Sequence, residues 1–249
     1  MHFTYENYKL LIEILRGNGY VCTDYIQYDR FEKCVILRHD VDFNIEKAYE
    51  FAKFEYENGI KSTYFVLVSS EFYNLYSKRN RDILSSIQKM GHTIGLHYDE
   101  MAYEKDFGDI DKTKENIREE IRVLSSILGE KVDCFSYHRP SRSVLESYIE
   151  IENVINSYSK VFFEEFKYLS DSRMHWREPV VDIAENAKYE KLHVLTHPFW
   201  YFKEQKSIED ILRLFINEAT TERFRHLNEN FSNLQQIIKM NEYEVICKK

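Results

Sequence analysis

Apolar and polar positions along the chain alternate between two periods. Short apolar runs bounded by polar residues occur at 34–39, 61–68, 92–97, 132–137 and 191–196, and each reads as a buried strand. Between them lie longer stretches with helical spacing. Residues 4–17 form one, closed by Gly17 and Gly19. Residues 44–58 form a second, with Ala48, Phe51, Ala52 and Phe54 inward and Gly59 as its stop. Further helices are predicted at 79–90 (C-capped by Gly91), 110–128 (ended by Gly129), 207–221 and 228–240. Strands alternating with helices of about a dozen residues imply βαβ units and an α/β fold built on a parallel sheet or barrel. Linker-like, repetitive and low-complexity stretches are missing. A single domain over 1–249 is therefore expected, with a helical lead-in at 1–30, a core at 34–200 and C-terminal helices at 205–249.

In such folds chemistry gathers at the carboxyl ends of the strands. Here those ends read Arg38-His39-Asp40-Val41-Asp42, His97-Tyr98-Asp99, His138-Arg139-Pro140 and His197-Pro198. Four of the nine histidines fall there, which chance scatter would not produce. Residues two apart on an extended segment share a side, so Asp40 and Asp42 leave the first strand together. Their repulsion calls for a metal ion, a basic partner or a catalytic task; the plainer alternative is a solvated loop that caps the helix starting near Asn44. Asp40, Asp42 and His97 have the makings of a divalent-metal site, and mixed carboxylate–imidazole donors suit Zn²⁺ and its neighbours. His92, five residues before His97, falls on the opposite face and reads as a packing residue. His138 is either a further ligand or a substrate contact. Arg139 suits bidentate pairing with a carboxylate, for which Asp171 is a partner. Trp176 is either a sugar-binding wall or a core residue. His197 stands where a general acid can act. The only three prolines, Pro140, Pro179 and Pro198, each follow one of these polar motifs and stiffen it.

Composition narrows the class. With 43% hydrophobic and 31% charged residues the chain is an ordinary globular one, and a net charge of −8 argues against nucleic acid or an anionic membrane surface as partner. The N-terminal residues lack the basic and apolar regions of a signal peptide, and no run approaches the length of a membrane span. Cys22, Cys34, Cys134 and Cys247 are too far apart for a Cys-based zinc site or a disulfide scaffold. A cytoplasmic location is expected. The 19 tyrosines and 17 phenylalanines are scattered and read as general packing. Oligomeric state is left open.

From about residue 34 to residue 200 the motifs resemble the NodB-homology polysaccharide deacetylase superfamily (carbohydrate esterase family 4 and relatives). Arg38-His39-Asp40-Val41-Asp42 looks like a shortened form of its Asp-Asp segment, and Gly91-His92-Thr93-Ile94-Gly95-Leu96-His97 is similar to its Gly-His-x-Ile-Gly-x-His. Tyr137-His138-Arg139-Pro140 resembles the Arg-Pro motif, Leu195-Thr196-His197 the Leu-x-His motif, and Asp171 with Trp176 the Asp and Trp motif. Relatives with Arg-His-Asp-Val-Asp and Gly-Leu-His-Tyr-Asp are associated with bacterial surface-polysaccharide loci. The resemblance implies a distorted (β/α)7 barrel of the NodB type with extra terminal helices. It implies Asp40 as base, Asp42 and His97 as metal ligands, His197 as acid, Arg139 and Asp171 as holders of Asp40 and the loops, and Tyr98, Asp99 and Trp176 at the substrate. One position departs from the pattern: Met101 stands where the second metal histidine belongs, so either Asp99, Glu100 or His138 completes the set or metal binding is weak or lost. The implied activity is metal-dependent, most simply Zn²⁺-dependent, removal of an N-acetyl or other N-acyl group from a sugar or glycan precursor. The alternatives are an inactive glycan-binding relative and a hydrolase of cyclic amides.

Overall fold

The structure, a computed structural model, describes residues 1–238. It divides into two compact units, 1–203 and a second that begins at Glu204. The first unit opens with α1 (Tyr5–Gly17), capped by Thr4, whose side chain accepts a hydrogen bond from Asn7 N. Then come β1 (Val21–Thr23), β2 (Cys34–Val41), α2 (Ile45–Glu57), β3 (Thr63–Val66), α3 (Lys78–Lys89) and β4 (Thr93–Tyr98). They are followed by α4 (Ile110–Leu128), β5 (Cys134–Tyr137), α5 (Arg142–Glu146), β6 (Ile155–Asn156), α6 (Lys160–Glu164), β7 (Lys167–Ser170), α7 (Val180–Asn186) and β8 (Lys191–Thr196). Every ladder between these strands is parallel. The spatial order is β6-β5-β4-β3-β2-β8-β7. Seven strands curl into an open, distorted barrel with helices around it, so β6 and β7 are its edges.

β2 is the axis of the sheet. Its first half, 34–36, pairs with β1, and its last residues, 38–41, pair with β3 on that side, while β8 runs along 34–39 on the other. All eight β2 residues are buried, as a strand covered on both faces must be. Cys34 and Ile36 point inward and join Tyr25, Phe65, Cys134, Phe162 and Phe166 in the barrel interior. Burying a side chain such as Phe65 or Ile36 is worth about 1.5–3 kcal/mol. The interior leaves no room beside Gly95 on β4: a Cβ there would stand 2.5 Å from the Phe65 ring and 2.8 Å from Cys134 Sγ.

α4 shows how the local pattern becomes a packed helix. Asp109 caps it by accepting from Lys112 N at 3.0 Å. Its buried stripe is Thr113, Ile117, Glu120 and Leu124, and Gly129 closes it at φ 71°. In the second unit the expected pair of helices at 207–221 and 228–240 is instead one helix, α8 (Ile208–Asn230), followed by the short α9 (Leu234–Ile237). Residues 221–228 contain neither Gly nor Pro, so nothing breaks the helix there; positions 239–240 lie outside the described residues. Among the described residues no helix is long and apolar enough to cross a membrane.

Candidate active site

Strand alternation builds the site. Arg38 and Asp40 follow Ile36 on the inward face of β2, and Asp42 lies just past the strand end. His39, between them, points outward and does different work. Its Nε2 donates to Glu55 at 2.9 Å and its Nδ1 meets Thr196 Oγ at 2.5 Å, which ties β2 to α2 and β8 behind the site.

Three imidazoles converge on Asp42. His97, at the end of β4, places Nε2 3.2 Å from Asp42 Oδ1 and 3.5 Å from Asp40 Oδ2. Its Nδ1 is engaged by Ser136 Oγ at 2.6 Å, which fixes the ring so that Nε2 faces the carboxylates. His138, just past β5, brings Nδ1 to 3.3 Å from Asp42 Oδ1. His197, just past β8, brings Nε2 to 3.7 Å from Asp42 Oδ2, and its Nδ1 pairs with Asp171 at 2.6 Å. Asp171 also accepts from His197 N at 3.0 Å. It can do so because β7, which Asp171 follows, lies beside β8.

The electrostatics follow from this packing. Burial would raise the Asp42 carboxyl, but His138 and His97 outweigh it and hold the group well below the usual range. Burial likewise works against ionisation of Asp40, and the Arg38 guanidinium wins, so its pKa is also lowered. Burial would lower His197, yet the Asp171 carboxylate overrides it and pushes the imidazole up to about 9. His138 is raised, with Asp42 overcoming its desolvation. Burial raises Asp171. At neutral pH the site therefore presents two carboxylates and a protonated His197.

The ligand atoms of Asp42, His97 and His138 lie within 4.8 Å of one another. Asp42 Oδ1 is buried, and the two imidazole nitrogens beside it are not aligned to hydrogen-bond it well, an arrangement that a cation would satisfy. One carboxylate and two imidazoles are a donor set that fits Zn²⁺ or a first-row neighbour. Met101 is 41% exposed in the turn after β4 and is not part of this group.

Other expected site residues fall elsewhere. Arg139 does not hold Asp40 or Asp171: it pairs through two nitrogens with Asp99 at the rim, with Nε 3.0 Å from Oδ1, and its side chain is 56% exposed. The arginine on Asp40 is Arg38, which alternation from Asp40 could have suggested. Tyr98 is buried, because it follows His97 and so takes the opposite face; its ring stacks on Tyr103 at 5.7 Å. Glu100 is also buried, and it accepts from Ser141 N and Gly108 N, which clamps the loops after β4 and β5. Trp176 is half-buried after β7, with Nε1 out of solvent and without a hydrogen-bond partner. Ser136 carries no motif signal and was missed.

Fold and site together define a parallel α/β-barrel protein with a carboxylate–imidazole cluster at its strand ends. No family model and no curated protein matches the chain. Among solved structures it is similar to IcaB from Ammonifex degensii, at 14% identity and TM-score 0.42, over 57% of this chain and 70% of that one. It is similar to the Streptococcus pyogenes deacetylase PplD in complex with acetate, at 13% identity and TM-score 0.43, over 57% of this chain and 66% of that one. A family 4 acetyl xylan esterase from Clostridium thermocellum in complex with a cobalt ion matches at 14% identity and TM-score 0.42, over 76% of this chain and 84% of that one.

Proposed function

We propose that the protein is a metal-dependent hydrolase that removes an N-acyl group, most simply acetyl, from a sugar or glycan precursor. The observation that carries this reading is the grouping of Asp42, His97 and His138 with Asp40 and His197 around them. Those three residues would hold a divalent ion of the zinc type, which would supply Lewis-acid polarisation of the acyl oxygen and acidify water.

The chain's own residues do the proton work. Asp40, ionised and held by Arg38, takes a proton from the water that attacks the acyl carbon. His197, protonated through its pairing with Asp171, gives its proton to the amine nitrogen as the C–N bond breaks. Asp171 acts through His197 and is a positioning residue. Arg139 with Asp99 forms a charged part of the rim, and Trp176 is an aromatic surface for a sugar. Unpaired Cys22, Cys34 and Cys134 fit a reducing compartment; a cytoplasmic enzyme would act on a nucleotide-linked or lipid-linked precursor in surface-polysaccharide synthesis.

The test is Asp40→Asn in the zinc-loaded protein, assayed for acetate release from acetylated amino sugars. The variant should keep its fold and lose about 10²–10⁴-fold in turnover, the usual contribution of a general base. Full activity in the variant would overturn the assignment of Asp40.

A further inference from the structure

Two carboxylates stand beside one cluster of imidazoles, and only one of them can serve as a free base if both are within reach of a cation. Asp40 is within reach: its Oδ2 is 3.5 Å from His97 Nε2, the same nitrogen that lies 3.2 Å from Asp42 Oδ1. An unrestrained carboxylate that close to a ligand nitrogen would join the ion that nitrogen holds, because carboxylate oxygen is a good zinc donor.

We infer that Arg38 partitions the aspartate pair, keeping Asp40 off the metal so that Asp42 alone of the two is a ligand. Both Asp40 oxygens are taken up by the guanidinium, Oδ1 by Nε and Oδ2 by Nη2, each at 2.8 Å. Arg38 is itself immobilised. It is fully buried, its Nη1 donates to Ser157 Oγ at 3.3 Å, and its guanidinium lies over the rings of Phe65 at 5.2 Å and Tyr158 at 4.9 Å. It reaches Asp40 from two residues earlier on the same face of β2, so the pair is set by the strand and not by a loop. The charge count agrees: Arg38 neutralises Asp40, and Asp42 alone carries a negative charge toward the cation. A lysine could balance the charge but could not occupy both oxygens. Arg38 is thus a positioning residue. The inference rests on the reading of Asp42, His97 and His138 as the metal site.

The experiment measures zinc affinity by competition with a chromophoric chelator, alongside deacetylation, for the wild type, Arg38→Met, Arg38→Lys and Arg38→Met/Asp40→Asn. Circular dichroism monitors folding. In Arg38→Met, Asp40 joins the ion, so zinc should bind ~10-fold more tightly, the scale on which groups supporting a site act, while turnover falls. Adding Asp40→Asn should return the affinity to near the wild-type value. Arg38→Lys should move in the same direction as Arg38→Met and carries the comparison should that variant fail to fold. A purely structural role would weaken zinc binding and turnover together. Unchanged or weaker zinc binding in the folded Arg38 variants therefore overturns the partition and leaves the metal site standing. A wild type that binds no zinc overturns both. A wild type that binds zinc and deacetylates nothing overturns the proposed reaction, while the affinity comparison still decides the partition.

Discussion

Glu55 is the most heavily bonded carboxylate in the barrel wall, and its replacement by Gln gives a calculable result. The side chain is fully buried at the end of α2. It accepts from Ser62 Oγ at 2.5 Å, Tyr8 Oη at 2.6 Å, Tyr64 Oη at 2.7 Å and His39 Nε2 at 2.9 Å. Burial alone would raise its pKa, but His39, His92 and Ser62 outweigh burial and bring it from 4.5 to about 2. A depressed carboxyl stabilises the folded chain above its unfolded pKa, and that stability is lost as pH falls through the folded value. At about 1.4 kcal/mol per pH unit, lowering the group from 4.5 to about 2 is worth about 3 kcal/mol at neutral pH. Glu55→Gln removes this contribution and sets an amide N–H₂ among groups that all donate. Urea unfolding followed by circular dichroism should show a loss of about 3 kcal/mol at pH 7. The loss should shrink as pH falls from 4.5 toward 2, because the wild type surrenders the same energy there. A cost below about 1 kcal/mol at pH 7, or one that does not change across that acid range, would refute the charged hub.

His138→Ala should leave the fold intact and weaken zinc binding well beyond the ~10–100-fold that loss of a supporting group costs; unchanged affinity by chelator competition would remove His138 from the metal set. Glu120 behaves in the opposite sense to Glu55. It is buried on α4 with Tyr103 Oη bonded to it at 2.9 Å, and burial outweighs the hydrogen bonds and raises its pKa to about 7. Its raised pKa means that stability is present at low pH and is lost as pH rises from 4.5 through about 7. Glu120→Gln should therefore stabilise the protein at pH 8, by at most about 3 kcal/mol, and change little at pH 4; equal effects at the two pH values would contradict this.

The long periodic segments were legible in the sequence. α4 lies at 110–128 and β8 at 191–196, as the pattern predicts, because a buried stripe or a fully apolar run needs no distant partner to be recognised. The polar strand ends were legible for the same reason: Asp40, Asp42, His97, His138 and His197 each follow an apolar run. β1 and β6 were not seen, because strands of two or three residues are too short to show a period, and β7 was not, because Lys167-Tyr168-Leu169-Ser170 is no apolar run. They exist through pairing with neighbours already in place. The partnerships within the site were also beyond the sequence. Asp171 meets His197 because β7 packs on the far side of β8, and Arg139 meets Asp99 because β5 lies beside β4. The arginine that holds Asp40 is Arg38, its strand neighbour, and not the one after β5. Local pattern determines which residues arrive at the carboxyl end of the barrel, since period and burial are properties of a short segment. Which of them touch is decided by the order and curl of the strands, since contact between residues 157 positions apart, as for His39 and Thr196, depends on the closure of the whole sheet.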